Sequence, residues 1–237
     1  MSGPGGPDGR RAAILAIDTA TTRVVVAVGS PRGEPLGLST WTAGHRHGEH
    51  LLPSIGRVLG EANLRRSRLR GVIVGTGPGA FTGLRVGLAT AKALAHGLHV
   101  PIAGVSTAAA LIEAAAAGDG VAARRVVLLL PAGPSDRVFV RLGLPPRLLP
   151  AGTEPELDSA DALVAVDLDG RAPADAVAAG ERARERLGHE LLRLGAARLA
   201  AGADDLATLV PEYVTLPRGV SAPAPAGGGV EWSRGPR

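Results

Sequence analysis

The residue types best suited to chemistry lie in the run Gly75-Thr76-Gly77-Pro78-Gly79-Ala80-Phe81-Thr82-Gly83, between the aliphatic Gly71–Gly75 and a helical pattern. A strand, a glycine loop and a helix start form an anion site, because the first N–H groups of a helix have no partner within it. The run is not a P-loop, since Lys92 lies two turns into the helix. It is not a G-x-G-x-x-G fingerprint, since Ala80 and Thr82 break the spacing. Spacing alone leaves two readings open: phosphate binding by Gly77, Pro78, Gly79, Thr82 and Gly83, or a turn that lets the helix pack closely. Asp18-Thr19-Ala20-Thr21 sits between two β-branched runs. A carboxylate and hydroxyls at a strand end could hold a magnesium-bound phosphate, or could simply close a turn.

His45-Arg46-His47-Gly48-Glu49-His50 resembles the H-x-H-x-D-H of metallo-β-lactamase-fold hydrolases, with Glu49 in place of Asp, and could bind zinc. Only His96, His99 and His189 remain as further imidazoles, so a loop running into a helix is the expected role. Arg65, Arg66, Arg68 and Arg70 could touch phosphate but are expected to form a solvated loop. Glu181-Arg182-Ala183-Arg184-Glu185-Arg186 mixes signs and reads as an exposed helix face. G-x-S-x-G and H-E-x-x-H motifs do not occur.

The elements that must position these residues follow from hydrophobic period. Ile14–Thr21 and Val24–Val28 read as a hairpin, with Leu36–Trp41 a third strand. Leu51, Leu52, Ile55, Val58, Leu59 and Ala62 recur at helical spacing, in a helix starting near Glu49 with Pro53 in its first turn. A strand at Gly71–Gly75 leads through the glycine loop to a helix over Leu84–His96, with Gly97 as its expected cap. Gly83, Gly87, Ala91 and Ala95 give that helix a stripe of small residues. Pro101–Val105 is a short strand, followed by an Ala-rich helix through Ala117 capped by Ser106 or Thr107. Strands are predicted at Val126–Leu130, Val138–Leu142 and Ala162–Val166, with a Pro-rich link over Gly143–Pro155. A helix over Ala174–Ala201 is predicted to break at Gly180, Gly188 and Gly195.

This is an α/β chain of two lobes. We divide it as a tail (1–11), an N-terminal lobe (12–105), a C-terminal lobe (106–216) and a second tail (217–237) rich in Pro, Gly and Ala. With no cysteine, a disulfide scaffold, a Cys-ligated zinc and a Cys nucleophile are excluded. The net charge is +4, but of 26 basic residues only Lys92 is lysine, so the arginine excess reads as coding bias rather than a nucleic-acid signature. Aromatic residues make up 2% of the chain, too few for a base-stacking platform. The first residues lack an apolar signal region, and no aliphatic run is long enough to span a bilayer, so a cytoplasmic location is expected.

Three motifs in order carry a family resemblance: Ile14–Thr21, His50-Leu51-Leu52-Pro53, and Gly77-Pro78-Gly79-Ala80-Phe81-Thr82-Gly83-Leu84-Arg85-Val86-Gly87, continuing into Gly104-Val105-Ser106-Thr107. They resemble the TsaB (YeaZ) family over residues 14–112, and Pro211-Glu212-Tyr213-Val214 resembles that family's C-terminal P-x-Y-[LV]. The resemblance implies a two-lobed actin-like, Hsp70-like (ASKHA) fold. It also implies a place in the bacterial machinery that forms N6-threonylcarbamoyladenosine at position 37 of tRNAs decoding ANN codons. TsaD, the paralogous transferase, carries a metal-binding H-x-x-x-H; aligning Val100-Pro101 places Thr107 and Leu111 where those histidines would stand. The resemblance therefore implies a non-catalytic scaffold that binds a TsaD-like transferase and helps recruit a TsaE-like ATPase, with tRNA met only within the complex. It implies an interface on the first two helices, assigned to His50, Leu51, Ile55, Val58, Leu59, Arg85, Gly87 and Ala91, which could also form a homodimer. No metal or cofactor is expected on the chain itself, ATP or ADP with magnesium being placed at the complex interface. Pro131-Ala132-Gly133 departs from the family's D-A-R. The alternative is an ASKHA phosphotransferase or ATPase using Asp18, Thr19 and the Gly77 loop.

Overall fold

The Thr-rich turn closes a hairpin, as expected: β1 (Ala13–Asp18) pairs antiparallel with β2 (Arg23–Gly29), and β2 with β3 (Pro35–Thr42). The computed structural model describes residues 11–42 and 47–214. The chain continues through α1 (His47–Glu61), β4 (Leu69–Gly75), α2 (Phe81–Leu98), β5 (Ile102–Val105) and α3 (Thr107–Asp119). It then forms β6 (Val126–Ala132), β7 (Asp136–Val140), β8 (Arg147–Leu149), β9 (Ala162–Ala165) and α4 (Ala174–Ala201). The first sheet has the order β3-β2-β1-β4-β5, with β1, β4 and β5 parallel; the second has the order β8-β7-β6-β9.

Alternation along the strands sorts the layers. Leu15, Ile17, Val26, Val72 and Val74 face α1 and α2 in one apolar cluster. Ile14, Ala16, Val25, Ala27 and Ile73 face the other way, onto α3 and α4, whose far side meets Leu128, Leu130, Val138 and Val164 of the second sheet. A helix apolar on all sides belongs between two sheets, which explains the Ala-rich α3: Ala108, Ala110, Leu111, Ile112 and Ala114 are wholly buried. The sheets divide between the two chain halves, yet α4 packs on both, and residues 204–214 return to the first sheet through an Ile102–Asp204 bridge.

Some boundaries differ from the sequence reading. The second helix begins at Phe81, and its cap is His99 in the left-handed conformation rather than Gly97. The Pro-rich link contains β8. The last helix does not break. Its glycines mark close crossings instead: a methyl on Gly180 would overlap the carbonyl of Ala165, one on Gly188 would lie 2.5 Å from Leu38, and one on Gly195 would lie 2.5 Å from Ile73. Gly180→Ala is expected to destabilise the fold by about 1–3 kcal/mol through overpacking. Gly56→Ala, on the open side of α1, should stabilise by up to ~1 kcal/mol through helix propensity. Urea unfolding of the two variants checks the difference in sign.

Candidate functional site

β1, β4 and α3 end or begin at one point, where the sequence puts Asp18, Gly75, Gly77 and Thr107. Asp18 is completely buried. Thr107 Oγ1 donates to its Oδ2 at 2.6 Å, and the Ala20 N–H donates to its Oδ1 at 2.9 Å. Gly77 N–H donates in turn to Thr107 Oγ1 at 3.1 Å, and Ser106 caps α3 by accepting from Ala109 N–H. Gly75 must be glycine, because a Cβ there would sit on the Asp18 carboxylate. Gly77 has φ +99, a region that favours glycine, in the turn that aims its N–H at Thr107. Burial pushes the Asp18 carboxyl up to about 6, a rise held back by the bonds from Thr107 and Ala20.

Asp18, Thr19, Gly77, Pro78, Gly79 and Gly83 do come together, but they close on one another. Thr19 Oγ1 donates to the Gly83 carbonyl at 2.7 Å, and Ala80 N–H donates to the Ala20 carbonyl at 2.7 Å. Methyl groups on Gly79 and Gly83 would overlap the carbonyls of Ala20 and Thr19. A carboxylate with no exposed surface and both oxygens engaged does not fit a magnesium-bound phosphate. Thr82 alone of these loop residues projects to solvent, on the first turn of α2.

The turn after Asp18 also ties the two sheets together. Thr22 donates to Asp167 through its N–H at 2.7 Å and its hydroxyl at 2.5 Å, and Arg184 of α4 ion-pairs with the same carboxylate and with Glu181. Beside this clamp a cleft of about 500 Å³ opens between the sheets, lined among others by Thr21, Pro78, Phe81, Leu130, Pro131 and Val138. Tyr213 closes one side: its ring lies 5.2 Å from that of Phe81, its hydroxyl accepts from Arg85 at 3.1 Å, and Arg85 stacks over Phe81 at 3.8 Å. Asp167 and Arg184 were not legible in the sequence. The mixed-sign run 181–186 reads as a solvated face, but Arg184 is buried, on the side of α4 that carries Gly180, Ala183 and Leu187.

The residues of the expected interface set divide between buried and exposed positions. Leu51, Ile55, Val58, Leu59 and Ala91 are buried against their own sheet, and Gly87 packs on Thr19, so these face inward. The stripe Gly83, Gly87, Ala91, Ala95 lets α2 approach β1; it does not offer a face to a partner. His50 and Arg85 are exposed. The zinc reading rests on His45, which lies outside the described residues, and on the side chains of His47 and Glu49, which do too.

Layer order and strand order define a two-lobed α/β protein of the actin-like class. It superposes on YeaZ from Pseudomonas aeruginosa with a TM-score of 0.67 at 24% identity, covering 85% of this chain and 99% of that one, a likeness of fold. A family model described as TsaD, tRNA N6-adenosine threonylcarbamoyltransferase, matches residues 37–185, more than half of the chain. The chain belongs to that family, as a TsaB/YeaZ member. A protein of Haemophilus influenzae called tRNA threonylcarbamoyladenosine biosynthesis protein TsaB is 35% identical over 102 residues, 43% of this chain and 42% of that protein. An uncharacterised protein of Mycobacterium tuberculosis is 41% identical over 93 residues, 39% and 44% of the two chains. The matched stretches span less than half the length of these curated relatives.

The raised Asp18 pKa makes stability depend on pH. Between the ordinary 3.8 and about 6 the folded state binds more protons than the unfolded one. Stability is therefore full below that window and is lost as pH rises through it. Asp18→Asn should flatten the loss, which is up to about 3 kcal/mol for a shift of this size. Denaturant unfolding of both proteins across the window measures it.

Proposed function

We propose that this chain is a non-catalytic subunit supporting threonylcarbamoyladenosine formation at position 37 of ANN-decoding tRNAs, by binding a TsaD-like transferase and assisting a TsaE-like ATPase. The observation that carries the reading is the fate of the two positions aligned with the transferase's metal ligands. Thr107 spends its hydroxyl proton on Asp18, and Leu111 is wholly buried in the core between the sheets. Neither is a metal ligand. The closed Asp18 joint also weighs against the rival phosphotransferase reading.

The docking face is the outer side of α1 and α2. His50, Leu52, Gly56 and Gly60 of α1 are exposed there, Leu52 to 58%, and a methyl on Gly56 or Gly60 would touch nothing. On α2 the exposed side carries Arg85, Ala89, Ala93 and Gly97. Small outward residues let foreign helices approach closely, and Leu52 supplies an apolar anchor.

Co-purification with the transferase tests this. Leu52→Arg should abolish retention while changing stability by less than about 0.5 kcal/mol, as surface substitutions do. Leu51→Arg, one residue away but in the core, should unfold the chain. Retention unaffected by both Leu52→Arg and Gly56→Arg removes the docking face. A wild-type chain that never retains the transferase and does not alter its output of threonylcarbamoyladenosine removes the subunit reading.

A further inference from the structure

At one end of the first sheet, Arg11, Arg32, Arg65, Arg66 and Arg70 lie without a carboxylate partner among the described residues. β1, β4 and β5 all start there and β2 ends there, so the segments before β1 and β4 and the β2–β3 turn lie side by side. Ala13 pairs with Leu69, which sets Arg11 beside the Arg65–Arg70 segment. Gly37 packs on Ala62, which brings the start of that segment over the β2–β3 hairpin that carries Arg32. Arg11, Arg32, Arg65, Arg66 and Arg70 are all exposed. None has a carboxylate partner among the described residues; Arg70 donates to the carbonyls of Ser67 and Leu69.

Coding bias explains why these cations are arginines but not why they are unpaired together. Several arginines elsewhere are matched with carboxylates: Arg141 with Asp161, Arg182 with Asp119, Arg184 with Asp167. At this same end Arg193 pairs with Glu190 and Glu113, and Arg198 with Asp204, which uses up nearby carboxylates. Glu34 is held by Ser30, and Glu61 is the other acidic residue close by. The edge keeps a net positive charge and carries no aromatic side chain among the residues named. Such a surface suits a phosphate backbone, not base edges.

We propose that this edge, centred on Arg65 and Arg66, docks the phosphate backbone of RNA. The choice of RNA over other polyanions rests on the proposed role in tRNA modification. Binding of this kind is sequence-independent and steeply salt-dependent, each phosphate contact adding about one to the slope of log affinity against log salt.

The test is fluorescence anisotropy of a labelled unmodified tRNA transcript, with the full chain alone and with its transferase, over roughly 50–200 mM salt. Arg65→Ala/Arg66→Ala should reduce the slope by about two and weaken binding at the low-salt end at least tenfold. These side chains make no hydrogen bond or ion pair among the described residues, so the fold should be untouched, as a thermal melt verifies. Arg124→Ala/Arg186→Ala, exposed and away from this edge, should bind as wild type. Equal slopes for wild type and the Arg65/Arg66 variant overturn the inference, as does binding to phosphatidylserine vesicles without binding to tRNA. Gel filtration with the transferase, read separately, still decides the subunit reading if the RNA contact fails.

Discussion

A carboxylate with no access to water must have hydrogen-bond partners, and the partners of Asp18 dictate the geometry around it. One oxygen takes the Thr107 hydroxyl, the other the Ala20 amide. That requires α3 to start beside the end of β1, which requires β5 to deliver it there. It requires Gly75, since any side chain would displace the carboxylate, and it requires Gly77 to turn its amide toward Thr107. The glycine loop is thus shaped by what it packs against inside the chain. Glu212, half-buried near Ser106 and shifted upward by burial, marks where the C-terminal strap meets the same joint.

Alanine and glycine do two different jobs on the same helices. Inward, Gly83, Gly87, Ala91 and Ala95 set α2 against β1, where Thr19 lies too close for larger side chains. Outward, Gly56, Gly60, Ala89 and Ala93 leave the opposite surface low and smooth. Only the layer order separates the two sets, because both recur at helical spacing.

The strands and helices were largely legible because their apolar periods are clean: the hairpin, α1, β4 and α3 lie where the sequence puts them, within a few residues. Sidedness was harder to read. Leu51 and Leu52 are adjacent and equally apolar, yet one is core and the other stands 58% exposed. Glycines inside α4 read as breaks because a lone sequence cannot reveal that a carbonyl or an Ile lies across from them. Arg184 reads as solvated because its partner Asp167 is distant in sequence. Asp18 and Gly77 stand out in the sequence by residue type and meet at Thr107 in the fold, but the burial of Asp18 is not encoded in spacing.

Helix α4 has 28 residues, a length of about 42 Å. It lies on β9 at one end and on β4 and β5 toward the other, fastened by Arg184 near its first third. Two sheets riveted to one continuous rod have no linker about which to swing. The contacts that join the two sheets run through this helix along most of its length. The consequence is that the two sheets share one structural axis, so a substitution in α4 is felt by both cores at once.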